Sequence, residues 1–200
     1  MPVDKKSQYI SERRVARKLA VIAIYQWQMT QNEYTDIYVG LQEDKDLSKD
    51  MGKADMAYFQ SLAKTVIDNV DEIDAELNPF LDRDAEHLDQ IERAVLRMSV
   101  CELKNHPEVP YKVAVNEAVN ICKKFGADQA HKFINGVLDQ VGAKLRPEES
   151  GQKEPRQTKA KTVKESSVKI SSVKTVPEKA TSAKPSSKNT SSADSSPSKK

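Results

Sequence analysis

The chain has 200 residues, with 32 Lys+Arg against 30 Asp+Glu and a formal net charge of +2. That length allows one domain, or one domain with a tail. Cys101 and Cys122 are too far apart in sequence to suggest a disulfide framework and read as reduced thiols. No run of about 18 apolar residues is present to span a membrane. The first residues lack the apolar stretch of a secretory signal, so a soluble, cytoplasmic protein is expected.

Residues 1–10, with Lys5 and Lys6, read as a flexible basic arm, and helical periodicity then dominates residues 11–146. From about Ser11 to Gln31, Val15, Leu19, Ile22, Ala23 and Trp27 recur at three- and four-residue steps, with Ser11 as a candidate N-cap. A weak pattern covers Ile37 to Leu47. A stronger one covers Ala54 to Val70 and includes Phe59, Leu62, Val66 and Ile67. A short turn at Glu72–Leu77 precedes the break at Asn78-Pro79. Asp84 to Lys104 reads as a helix with at least one strongly apolar face. Pro110 fits the first turn of the next helix, Gly126 suits its C-terminal cap, and a last helix starts near Asp128 and stops at Pro147. No stretch alternates as a half-buried strand does, so the expected fold class is all-α.

The composition changes after Pro147. Residues 148–200 hold 13 Ser, 5 Thr, 4 Pro and 12 Lys+Arg, with no aromatic residue and no Leu. Such a segment cannot bury enough apolar surface to offset the entropy of ordering it, so a disordered tail is expected. Lys164, Lys169, Lys174, Lys179 and Lys184 recur at five-residue spacing, which matches neither a helix nor a strand and reads as low complexity. The tail carries net +6, residues 1–31 net +4 and residues 32–147 net −8, so charge is strongly segregated.

Little in the sequence points to catalysis. His87, His106 and His131 are scattered and show no metal-ligand spacing. The run Asp82, Asp84, Glu86, Asp89 lacks the glycine and terminal glutamate of a calcium loop. Both cysteines fall on apolar helical stripes, and no nucleotide loop or nucleophile elbow is present. A non-enzyme without cofactor or metal is expected. The basic face of the first helix stands out instead. Arg13, Arg14, Arg17 and Lys18 fill an arc of about 140° on a wheel of about 100° per residue. Tyr25 falls on the sector of Arg14 and Lys18. Cations beside an aromatic suit single-stranded nucleic acid, the charge for phosphates and the ring for a base. A solvated helix face is the bland alternative. Gln129, Lys132 and Phe133 offer a second group of amide, cation and ring, although a Phe alone is more often core.

Several stretches carry a family resemblance. Residues 109–119 (VPYKVAVNEAV), 123–128 (KKFGAD) and 131–138 (HKFINGVL) resemble the C-terminal signature of the NusB family. Residues 13–28 (RRVARKLAVIAIYQWQ) and 91–98 (IERAVLRM) resemble its earlier segments, in the expected order over residues 11–147. The resemblance implies a domain of two small packed helical subdomains. It also implies transcription antitermination: pairing with NusE, a small-subunit ribosomal protein, and binding single-stranded boxA RNA together with it. Other Nus factors and RNA polymerase join through the assembled complex. By position, it places RNA contacts on Arg13, Arg14 and Arg17, with Lys18 beside them, and on Gln129, Lys132 and Phe133. It places NusE contacts on Tyr25 and Glu92. Val15 stands where some members carry another arginine, and Gln129 where an acidic residue is common. The competing readings are a helical protein-binding scaffold in ribosome assembly and the substrate-binding domain of an RNA methyltransferase. The second lacks the Gly-rich cofactor loop it requires.

Overall fold

A computed structural model describes residues 4–82 and 87–150. Asp84 and Glu86 of the acidic run, and all but the first three residues of the expected tail, lie outside the described residues. The described secondary structure is helical, without a strand. In chain order it consists of α1 (Lys5–Thr30), α2 (Tyr34–Glu43), α3 (Lys45–Met51), α4 (Met56–Asp68), α5 (Val70–Leu77), a 3-10 turn (Asn78–Phe80), α6 (Gln90–Asn105), α7 (Tyr111–Phe125), α8 (Ala130–Leu145) and α9 (Pro147–Ser150).

Helix α6 is the axis of the fold. Every residue from Arg93 to Leu103 is buried, because α1 and α4 pack on it from one side and α5, α7 and α8 from the other. A helix covered all round must satisfy its polar side chains internally. Arg97 donates to both oxygens of Asp74 at 2.9 and 2.6 Å and to Gln28 Oε1 at 3.1 Å. Glu102 is met by Arg17 and Tyr58. The two subdomains are thus α1–α4 and α5–α8, with α6 in contact with both.

The last turn of α6 ends in carbonyl groups that its own helix leaves unpaired or, at Glu102 O, bonds only through the capping His106 amide at 3.0 Å. The buried guanidinium of Arg146 takes them up. Its Nε donates to Leu103 O at 2.8 Å, and its Nη2 donates to His106 O at 2.8 Å and Glu102 O at 3.4 Å. Its Nη1 donates to Val109 O at 2.5 Å in the following loop. Glu149 of α9 accepts from the Tyr111 amide at 2.8 Å, so the end of the helical body is fastened to the start of α7.

Several boundaries differ from those expected from sequence. Helix α1 begins at Lys5 under an Asp4 cap, so Lys5–Ile10 are helical rather than a flexible arm. These residues are all exposed, which is why no apolar period marked them. The weak pattern after Gln31 resolves into two helices, because the Asp44 carboxylate accepts from the Asp46 and Leu47 amides and starts α3. Residues 72–77 belong to a helix, α5, that begins at Val70. Pro147 starts α9 rather than ending the fold, so Glu148–Ser150 belong to a helix and not to the tail. Gly126 closes α7 at φ −81°, outside the left-handed region. It is glycine because a Cβ there would come within 2.8 Å of both O and Sγ of Cys122.

Gly142 is required for a related reason. A Cβ there would overlap the ring of Tyr111, which is buried and tethered through its hydroxyl to Asp139 at 2.7 Å. Gly142→Ala should lower stability by about 1–3 kcal/mol as overpacking. Gly136→Ala, in the same helix where a Cβ meets nothing within 4 Å, should raise it by about 0.5–1 kcal/mol. Chemical denaturation of the two variants measures both, and equal effects would show that the Tyr111 ring yields freely.

Candidate nucleic-acid interface

Helices α1 and α7 lie side by side on α6 and run in the same direction. Tyr9 and Ile10 share a cavity with Pro110 and Val113, Arg14 faces Glu117, and Lys18 shares a second cavity with Ile121 and Lys124. The two cavities, of about 380 and 560 Å³, form one groove crossed by the Arg14–Glu117 pair. Arg14 donates from Nη2 at 2.8 Å and from Nε at 3.0 and 3.1 Å. The Arg14 side chain is 60% exposed, whereas that of Glu117 is 9% exposed. The bond to Glu117 and the attraction of its charge push the Arg14 pKa further up, so this arginine keeps its charge at any working pH.

The four cations expected on one face occupy three different environments. Arg17 is buried, with Nε 2.7 Å from Glu102 Oε1 and Nη2 3.3 Å from the Tyr58 hydroxyl. Tyr58 also donates to Glu102. Burial pushes the Glu102 carboxyl above its usual range, opposed by the charge of Arg17. Arg17 therefore does not join the solvated face; it is a buried anchor between α1 and α6. Arg13 is intermediate. Its guanidinium lies 3.6 Å from the Tyr58 ring centroid, pairs with Asp55 at 3.0 Å and donates to Glu108 at 3.2 Å. Asp55 also caps α4 through the Tyr58 amide at 3.0 Å, so Arg13 is tied to that cap. Lys18 pairs with Asp50 at 2.5 Å, and that bond holds the Asp50 carboxyl below its usual range. Arg14 and Lys18 are the two of the four that line the larger cavity.

Both cavities also contain residues the sequence reading passed over. Asn116 lines the smaller one, Asn120 and Lys124 the larger, and all three are exposed. With Val113 they form a stripe on α7 at three- and four-residue spacing. That spacing is visible in the sequence, but nothing local says that the stripe faces α1.

The second expected group lies at the start of α8. Gln129 caps this helix in a left-handed conformation, φ 63°, and its amide donates to Asp128 at 3.0 Å. Lys132 is exposed, and Phe133 is half-buried against the core. Phe125 and Lys124 of the larger cavity close the helix just before this turn. The expected partner residues sit at the far end of α1. Tyr25 is 36% exposed and Met29, one turn on, 56%. Gln28 donates to Gln90 O at 2.8 Å, which sets this end of α1 against the first turn of α6, where Glu92 stands. Burial, followed by the charges of Glu92 and Asp89, pushes the Cys122 thiol up to about 11. Burial likewise raises Cys101 to about 11.

The anchor and the groove cations should separate in a stability measurement. Arg17→Ala leaves a buried carboxylate uncompensated and should cost about 3–5 kcal/mol. Lys18→Ala removes a partly exposed pair and should cost about 1 kcal/mol or less. Urea unfolding of the two variants checks this, and equal losses would place Arg17 among the surface cations.

The NusB family model matches residues 14–143. The "Transcription antitermination protein NusB" of Alteromonas mediterranea is 45% identical over 140 residues, 70% of this chain and 97% of that protein. The protein of the same name from Idiomarina loihiensis is 48% identical over 135 residues, 68% of this chain and 94% of its own length. Among solved structures, NusB of T. maritima superposes with a TM-score of 0.57 at 24% identity, over 70% of this chain and 96% of that one. A crystal structure of the antitermination factors NusB and NusE in complex with dsRNA gives 0.53 at 24% identity, over 66% and 96%. At that identity the structures speak for the fold, while the sequence relatives and the family match establish kinship: this chain belongs to the NusB family.

Proposed function

We propose that this protein is a transcription antitermination factor that binds boxA RNA together with NusE and works in the cytoplasm on transcribing RNA polymerase. The observation that carries the reading is the extent of the kinship. Relatives 45–48% identical over nearly their whole length bear the name of an antitermination protein, and a chain of the same fold was crystallised with NusE and RNA.

The geometry gives that reading a surface. RNA phosphates meet Arg14 and Lys18 at the α1/α7 groove, with Lys132 and Gln129 at the start of α8 as a second contact. Phe133 supplies a partly exposed ring there. Arg13 and Arg17 line the smaller cavity but are tied to Asp55, Glu108 and Glu102, and in this reading they hold α1 against α4 and α6. Tyr25 and Glu92 face NusE at the opposite end of α1, and the net −8 of residues 32–147 favours encounter with a basic ribosomal protein. The protein acts by binding rather than by catalysis. RNA and NusE must then tighten each other's binding by the same factor.

Fluorescence anisotropy of the full chain with boxA RNA and a scrambled RNA, with and without NusE, tests this. Preference for boxA, strengthened by NusE, is expected. Affinity should fall with salt at a slope of about −0.7 per neutralised phosphate. Arg14→Ala with Lys18→Ala should weaken binding at least about tenfold and reduce the salt slope by about 1.4. Equal binding of both RNAs, unchanged by NusE, would leave a helical scaffold without RNA specificity.

A further inference from the structure

The groove between α1 and α7 contains more than cations. Six large apolar side chains stand exposed among the described residues, and three of them, Tyr9, Ile10 and Val113, surround the smaller cavity. Concentrating exposed apolar surface at one cleft marks a binding site rather than chance exposure. Beside them stand Asn116 and, one turn along in the larger cavity, Asn120. Both amides are exposed and make no hydrogen bond within the described fold, so their donors and acceptors are open to a ligand in the groove. Four residues along a helix advance the chain by about 6 Å, so the two amides stand at successive levels of the groove. Arg14 spends Nε and Nη2 on Glu117. The bidentate bond fixes the guanidinium between the two cavities and does not use Nη1.

We propose that the α1/α7 groove reads bases as well as binding phosphates. In this assignment, Asn116 and Asn120 hydrogen-bond the edges of two unstacked nucleobases of a single-stranded RNA, and Tyr9 provides the stacking surface at the mouth of the smaller cavity. The inference rests on the RNA-binding reading above and deepens it, because it assigns sequence preference to α7 residues rather than to the arginines. The chemistry fits the class of ligand. An amide presents one donor and one acceptor side by side, the pattern needed for a base edge with adjacent acceptor and donor groups. Single-stranded RNA is recognised by stacking splayed bases on aromatic rings and bonding their edges. Tyr9 is held in place by Arg13, whose guanidinium lies 5.0 Å from its ring centroid. Lys124, at the other end of the stripe, carries charge without base-reading ability and serves as the contrast.

The test compares the full-length protein with Asn116→Ala plus Asn120→Ala, Tyr9→Ala and Lys124→Ala, using fluorescein-labelled boxA RNA and a scrambled RNA of the same composition. All these side chains are exposed, and a circular-dichroism melt confirms that each variant remains folded. The double amide variant should lose about tenfold or more of the boxA-to-scrambled affinity ratio while its salt slope stays unchanged. Tyr9→Ala should weaken both RNAs by about fivefold or more. Lys124→Ala should weaken both alike and lower the salt slope by about 0.7. If the wild-type protein prefers boxA and the double amide variant retains the full ratio, the groove does not read bases and this inference fails alone. If the wild-type protein shows no preference, the antitermination reading fails with it.

Discussion

The fold turns on one buried ion pair, Arg17 with Glu102. It joins the first helix to the central one where both groups are buried, and Tyr58 of α4 completes the contact. Two charges out of water are tolerable only when paired and further hydrogen-bonded, so the pair fixes the register of three helices together. Once α1 is seated in that register, Gln28 meets Gln90 at its far end, Arg13 reaches the cap of α4, and Arg14 and Lys18 turn toward α7. The groove between α1 and α7 is a consequence of how the core is pinned.

The same arrangement explains why a basic helix can lie on an otherwise acidic body. Each of the four cations from Arg13 to Lys18 has a carboxylate within reach: Asp55 and Glu108 for Arg13, Glu117 for Arg14, Glu102 for Arg17 and Asp50 for Lys18. These carboxylates fix the cations in place, and in the proposed complex with RNA that preorganisation limits the entropy lost at Arg14 and Lys18. Exposure decides which cations can serve. An arginine side chain that is 60% exposed has room to share itself between a carboxylate and a phosphate, whereas one that is 5% exposed does not.

Much of this was legible from sequence. Apolar periodicity located α1, α4, α6, α7 and α8, and the ordered stretches from residue 13 to 138 pointed to the right family. What stayed hidden was non-local. The carboxylates paired with Arg13, Arg14 and Arg17 stand 42 to 103 positions away, so a helical wheel shows four equivalent cations where the fold makes one buried anchor, one arginine stacked on Tyr58 and two cations that line the larger cavity. The first six residues of α1 carry no apolar face to betray them. Gly126 looked like a left-handed cap but serves a tight approach to Cys122, a distance that exists only after α7 has formed.

The division of labour within the basic helix can be observed directly by titrating boxA RNA into isotope-labelled full-length protein and following arginine Nε–Hε and asparagine side-chain signals by NMR. Movement of Arg14 with the amides of Asn116 and Asn120, while the Arg17 signal stays fixed, is the predicted result. A shift of Arg17 with Arg14 unmoved, or shifts confined to α2–α5, would contradict both the assignment of the groove to RNA and the role of Arg17 as a buried anchor.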